Sequence, residues 1–284
     1  MDLNRRFFTV GDIQCIAISD GALSYPPGWF FSNVPEEQLE TGLRARNFPS
    51  DQVVSPYICL VVKTAKHTVL VDTGADGLAP TTGRLLENLK AEGITPGEIS
   101  TVVLTHAHPD HIGAVLDGEG KPAFPNAGYT MSKTEWDFWT SGPDLHGSRF
   151  DQHIKQLLVS CAKRNLPPLK RSMELLEGEK EIVPGVYAIP APGHTPGHIA
   201  LLISSAREQL LNLADAVLHP MHLENPTWQN IFDLNPDDAA TTRRQLLDRA
   251  TADNAGVLAY HFPFPGLGRV KNKANAWGWE AAEG

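Results

Sequence analysis

Cysteine is scarce in this 284-residue chain. Cys15, Cys59 and Cys161 are three, an odd and scattered set that excludes a disulfide framework. They sit in apolar company (Ile13 to Ile18, Ile58 to Val62) and read as buried free thiols. Long apolar runs are missing too. No stretch approaches the ~18 residues of a membrane span, and the opening MDLNRRFFTV lacks the apolar core and cleavage site of a secretory leader. The expectation is therefore a cytoplasmic enzyme. Basic residues are outnumbered, 24 Lys and Arg against 33 Asp and Glu, for a net charge of −9. That deficit argues against nucleic acid or anionic membrane as partner. It also disfavours a multiply charged anionic substrate unless bound metal inverts the local field. Repeats and low-complexity tracts are absent as well. With 42% hydrophobic and 20% charged residues, the chain reads as one globular domain over residues 1–284.

What is present is an alternation of short apolar strands with helical patterns. Strands are expected at Ile13–Ser19, Tyr57–Val62, Thr68–Val71, Thr101–Leu104, Gly185–Ile189, Ile199–Ile203, Gln209–Leu213 and Val257–Ala259. Helices are expected at Pro35–Arg46, Thr82–Glu92, Lys133–Trp139, Phe150–Arg164 and Pro236–Ala250. The last is well signalled: Asn235 can cap, Pro236 suits the first helical position, and Asp237 and Asp238 complement the helix dipole. Arg243, Arg244 and Arg249 read as its solvated face. Many strands with helices outside them mean a layered α/β domain.

One stretch stands apart. Thr105-His106-Ala107-His108-Pro109-Asp110-His111 gathers three of the chain's 11 histidines. It begins where the apolar strand Thr101–Leu104 ends, and extended residues two apart point to the same side, so His106 and His108 aim together. Pro109 biases His108 away from helical geometry and then starts a helix itself, so Asp110 and His111 face a second point. This spacing points to two neighbouring metal ions. Further polar residues also follow apolar strands: Asp72, the stretch Ala191 to His198 with His194, Asp215 and His261. Loops at strand ends are where α/β folds gather ligands.

Together Val-Asp72-Thr-Gly74, H-x-H-x-D-H, Pro-Gly-His194-Thr-Pro-Gly, Asp215 and His261 resemble the metallo-β-lactamase superfamily, in its order and over about residues 55–265. The resemblance implies a four-layer αββα sandwich with its site at one edge. It implies a first metal on His106, His108 and His194, a second on Asp110, His111 and His261, and Asp215 bridging. Asp72 would fix a ligand histidine through its spare ring N–H, and His198 would be structural or support the ligands. Nitrogen and oxygen donors suit two divalent zinc ions, and equally admit manganese, iron or cobalt. Two such ions hold a bridging water, lower its pKa and polarise the substrate oxygen, with Asp110 or Asp215 taking the proton.

Within the superfamily the likeness is to the methyl parathion hydrolase branch, adjacent to the N-acyl homoserine lactonases. It is carried by Pro80 to Lys90, Ala123 to Asn126 through Asp137-Phe-Trp139, and His261 to Gly266. It implies cleavage of a neutral ester or lactone, with phosphotriester hydrolysis a further activity, and a homodimer involving residues such as Trp29–Phe31. Trp139 and Phe150 fall at expected pocket aromatics. Leu78 is aliphatic near another such place, and His219 and His222 are candidates for the substrate mouth. The lactonases usually carry a tyrosine three residues after the bridging aspartate, where this chain has Leu218. Trp136 and Trp139, three apart on one helix, otherwise read as a core face. A glyoxalase II-like thioesterase or a mononuclear iron sulfur dioxygenase shares the motif. The first should show basic residues towards its C-terminus, and metal analysis separates the second.

Overall fold

The computed structural model describes residues 4–282. One sheet runs in chain order: β1 (Arg5–Val10), β2 (Ile13–Tyr25), β3 (Val53–Lys63), β4 (Thr68–Val71), β5 (Thr101–Val103), β6 (Gly128–Ser132) and β7 (Met173–Leu176). Its first four strands are antiparallel, and β4 through β7 are parallel. The second sheet holds β8 (Lys180–Val183), β9 (Val186–Pro190), β10 (Ile199–Ser205), β11 (Glu208–Asn212), β12 (Gly256–Leu258), β13 (Leu267–Lys273) and β14 (Ala276–Ala281). Only β11 and β12 pair in parallel there. The helices are α1 (Pro27–Phe30), α2 (Glu36–Arg44), α3 (Leu85–Ala91), α4 (Pro109–Ile112), α5 (Lys133–Thr140), α6 (Gln152–Asn165), α7 (Met221–Glu224) and α8 (Pro236–Ala252).

Strand β3 shows why the layers form. Its run Tyr57-Ile-Cys-Leu-Val-Val62 is apolar without alternation because both of its faces are buried. Tyr57, Cys59 and Val61 pack under the helices, against Leu85 and Leu89 of α3, Trp139 of α5 and Leu158 of α6. Ile58, Leu60 and Val62 pack against Ala188, Leu201 and Leu258 of the second sheet. That sheet's other face meets Leu246, Leu247 and Ala250 of α8. The result is the expected αββα sandwich, with a further aromatic cluster of Phe30, Phe31, Leu39 and Met221 beside it.

Boundaries differ from expectation where the local signal misleads. The helix expected from Thr82 starts at Leu85. Gly83 has φ +80° there, and Asp20 of β2 accepts the N–H groups of Gly83 and Leu85, so a distant carboxylate starts the helix. Asn235 does cap α8, accepting from the Asp238 N–H. Strands β1, β6, β7, β8, β13 and β14 were not anticipated; most are short or carry charges on alternate exposed residues. Among the described residues, no helix is long and apolar enough to cross a membrane. Cys15 and Cys59 are buried and Cys161 half-buried, all as free thiols.

Candidate metal centre

The polar residues converge where strands end along one edge of the sandwich. Asp72 closes β4, Thr105 to His111 follow β5 and open α4, and Ala191 to His198 link β9 to β10. Asp215 follows β11, and His261 follows β12. His106, His108, His194 and Asp215 have ligand atoms within 4.8 Å of one another, and so do those of Asp110, His111 and His261. Asp215 stands between the two sets. Its Oδ2 lies 3.1 Å from His261 Nε2, 3.3 Å from His194 Nε2 and 3.8 Å from His106 Nε2, and its Oδ1 lies 3.2 Å from His111 Nε2. Asp110 Oδ2 is 3.5 Å from His261 Nε2 and 3.7 Å from His111 Nε2.

Hydrogen bonds on the far side of the His106, His111, His194 and His261 rings turn their Nε2 atoms inward, whereas His108 presents Nδ1, 2.9 Å from His194 Nε2. His111 donates from Nδ1 to Asp72 Oδ2 at 2.8 Å, and His194 donates from Nδ1 to Asp233 Oδ1 at 3.0 Å. Thr105 donates to Asp72 through both N–H and Oγ1, and His106 Nδ1 lies 3.1 Å from that same Oγ1. His261 Nδ1 faces Ser55 Oγ at 2.8 Å and Pro56 O at 3.1 Å. These partners fix the ring orientations and point the Nε2 atoms at Asp215. His198 supports the bridge from behind. Its Nδ1 donates to Ala191 O, and its Nε2 accepts the Asp215 N–H at 3.1 Å.

The residues fit a pair of divalent cations. Nε2 of His106 and His111 and Oδ1 of Asp215 are buried without a hydrogen-bond partner, a cost that coordination would remove. Burial and neighbouring imidazoles hold His106 and His108 well below the usual histidine range, so they are neutral, as ligands must be. Burial opposes charge on His111 too, but Asp215, Asp72 and Asp110 outweigh it and push that ring well up. Asp215 is the converse: burial disfavours its charge, but His261 and His111 outweigh this and hold it well below the carboxylate range. A concentration of positive charge belongs here.

Sequence reasoning missed two buried acids that organise this edge. Asp233 backs His194 and also accepts from Asn230 Nδ2 at 2.8 Å. Glu135 of α5 accepts from Ala107 N, Gly197 N, Thr195 Oγ1 and Trp139 Nε1 at 2.7–3.0 Å. It thereby ties the loop of His106 and His108 to the loop of His194. A Cβ on Gly197 would meet Glu135 N at 2.1 Å, which explains glycine there.

A cavity of about 330 Å³ opens onto His108, Asp110, His194, Asp215 and His261. Its other walls are mainly apolar: Leu23, Trp29, Phe30, Phe150, Leu157 and Phe232, with Leu78 and Leu218. A larger recess of about 580 Å³, lined by Arg6, Glu208, Asp253 and Arg269, shares no residue with it and gathers no metal ligands. Phe150 and Leu78 thus reach the cavity; Trp139 and His222 do not. Trp139 is buried behind His108, its ring centroid 5.9 Å from the imidazole and its N–H held by Glu135. His222 is buried in α7, where Nε2 donates to Phe30 O and the ring packs on Phe31. His219 is buried beside it against Phe48, away from the mouth, whereas exposed His153 does line the cavity. Phe30 and Phe31 are spent inside the chain rather than on a partner. Arg243 is 1% exposed and donates to the carbonyls of Ala216, Pro226 and Trp228; it is no part of a solvated face.

A family model described as the metallo-beta-lactamase superfamily matches residues 54–261. The chain belongs to that superfamily. The N-acyl homoserine lactonase of Bacillus sp is 28% identical over 198 residues, 62% of this chain and 70% of that one. N-acyl homoserine lactonase AttM of Rhizobium radiobacter is 27% identical over 190 residues, 63% and 64% of the two chains. These matched stretches span about two thirds of each relative's length. Among solved structures, AidC, a dizinc quorum-quenching lactonase in complex with its product N-hexanoyl-L-homoserine, is 28% identical with a TM-score of 0.94. That match covers 100% of this chain and 99% of AidC. The hydrolase AbOPH is 25% identical with a TM-score of 0.89, over 100% and 99% of the chains.

Proposed function

We propose that this metal-dependent hydrolase opens the ring of a neutral lactone bearing an apolar acyl arm, of the N-acyl homoserine lactone class for which its relatives are named. The observation that carries it is one cavity with two ends. The shared Asp215 and its imidazoles close one end, and an aromatic and aliphatic wall sized for a small acyl chain forms the other. Likeness to AidC over the whole chain supports it. His106, His108 and His194 are assigned to one divalent ion and Asp110, His111 and His261 to the second, with Asp215 common to both. Zinc suits these donors.

When bound, the metal pair makes a nucleophile of water near neutral pH and polarises the carbonyl. The chain's own residues set the stage for that. Asp72 and Asp233 hold the outer ring protons of His111 and His194, which fixes the inward lone pairs. The apolar wall strips water from the substrate and places its reacting end against Asp110 and Asp215. Asp110 is assigned as proton acceptor because its side chain is 15% exposed, against 4% for Asp215, so it can reach the reacting atoms. The proton returns to the alkoxide oxygen freed when the ring C–O bond breaks, giving a hydroxy acid.

The test is a panel assay of zinc-, manganese- and iron-loaded protein on an N-acyl homoserine lactone, a p-nitrophenyl ester and a methyl phosphotriester. The lactone is expected to have the highest kcat/KM, with phosphotriester turnover secondary. Absence of lactone turnover in every loaded form would overturn the assignment. One iron per chain with oxygen uptake would move the protein to the sulfur dioxygenases. A homodimer belongs to the same proposal, and light scattering should give twice the 31.0 kDa chain mass.

A further inference from the structure

Most polar groups of the cavity are already committed. Ser55 Oγ pairs with His261 Nδ1, and the carboxylates of Asp110 and Asp215 face the imidazoles. The hydroxyl of Tyr25 is different. It lies 2.5 Å from the hydroxyl of Tyr57, and one hydrogen bond between two phenols uses only one of their two protons. Tyr57 is 0% exposed, so a proton left on it would be buried without an acceptor. Tyr25 lines the cavity. The lower-cost arrangement has Tyr57 donating to Tyr25, and Tyr25 presenting its own proton to whatever fills the space.

The position of that proton is specific. The Tyr25 ring is set among the aromatic wall, with centroids 5.9 Å from Trp29, 5.7 Å from Phe30 and 5.7 Å from Phe232. Its hydroxyl end is tied to Tyr57, whose ring stands 5.5 Å from that of His261. One residue therefore reaches from the acyl end of the cavity towards the metal end, and its only donor lies between them. An N-acyl lactone has the same sequence of parts: an apolar chain, an amide carbonyl, then the ring to be opened.

We propose that Tyr25, held by Tyr57, donates its hydroxyl proton to the amide carbonyl of the acyl arm and so selects amide-bearing lactones over plain alkyl lactones. This rests on the lactonase assignment above. The hydrogen bond is made equally in the bound substrate and in its transition state, so its effect falls on KM rather than kcat.

The experiment compares the zinc enzyme and its Tyr25→Phe variant on N-hexanoyl homoserine lactone and on a γ-alkyl lactone of similar length without the amide. Elemental analysis and thermal midpoint check metal content and fold. Tyr25→Phe is expected to raise KM for the amide lactone about three- to tenfold, with kcat within about twofold. The increase should exceed that for the alkyl lactone at least about threefold. Calorimetric affinity for N-hexanoyl homoserine should fall by the same factor, a readout independent of turnover. Tyr57→Phe leaves Tyr25 unheld and should shift the same KM part of the way, which tests the proposal even if Tyr25→Phe misfolds. Equal shifts on both lactones, or no shift on either, in variants of an enzyme that cleaves both would overturn the proposal alone. Wild-type enzyme that cleaves neither would overturn the lactonase assignment and this proposal with it.

Discussion

Asp233 Oδ1 lies 3.0 Å from Nδ1 of His194, with both side chains only 1% exposed. The same carboxylate faces buried Arg243 at 3.6 Å through its other oxygen. A candidate metal ligand is therefore backed by a carboxylate and the carboxylate by a cation. That cation also holds the carbonyls of Ala216, Pro226 and Trp228, in the segment running from just after Asp215 to the start of α8.

Asp233→Asn should weaken zinc binding about 10- to 100-fold, because a neutral amide orients His194 but no longer strengthens it as a donor. Chelator competition would measure this; unchanged affinity would remove Asp233 from the metal site. Arg243→Met should cost about 3–5 kcal/mol in urea unfolding, because it takes the neighbouring cation from a buried carboxylate and leaves three carbonyls without their donor.

Glu135 is the second support. Burial pushes its acid up, and its four hydrogen bonds pull it back only in part. Glu135→Ala would strand donors on Ala107, Thr195, Gly197 and Trp139, each orphan costing about 1–3 kcal/mol. A loss of at least about 3 kcal/mol in urea is expected, together with reduced zinc content, since both ligand loops lose their tie. A variant of native stability with full zinc would refute this.

The ligand residues were legible because they lie in compact runs at the ends of apolar strands, where strand geometry alone aims them. Their supports were not. Asp233 is 39 residues from His194, and Glu135 is 28 and 62 residues from the two N–H groups it accepts, so only the folded chain joins them. Arg243 was misread, although its signal was present. It shares a helical face with Ala239, Leu246, Leu247 and Ala250, all buried, at the 3.6-residue period. His222 misled through closeness in sequence to Asp215; α7 turns it into the aromatic cluster instead. Strands β13 and β14 were hidden by charges such as Arg269, Lys271 and Glu280 on alternate exposed positions.

Acid sensitivity should trace in part to His219. Burial among Phe30, Phe31 and Phe48 pushes it down to about 3, so it stays neutral in the fold while the unfolded chain takes up a proton near pH 6.5. Its contribution is intact above about pH 6.5 and is lost as pH falls from there towards about 3. Between pH 6.5 and 5 the penalty reaches about 2 kcal/mol, at 1.36 kcal/mol per unit. Urea unfolding of His219→Asn at the two pH values should show a smaller drop than the wild type by about that amount. Parallel pH profiles would contradict it.

Metal removal should be felt in the fold as well as in turnover. Without cations, Nε2 of the neutral His106 imidazole and Oδ1 of Asp215 stay buried and unsatisfied. An ion that binds the folded chain alone, at 100 times its dissociation constant, adds about 2.7 kcal/mol. In a 284-residue chain that corresponds to a thermal midpoint higher by about 4 to 5 °C. Chelator should abolish that increment, and zinc should restore it. His108→Ala removes one donor from the first set while leaving Asp110, His111 and His261 in place. It should keep a cooperative transition, lose most of the chelator-sensitive increment and lose turnover. If its midpoint and turnover match those of the zinc-loaded wild type, His108 holds no ion, and the two-metal assignment fails at its first ligand.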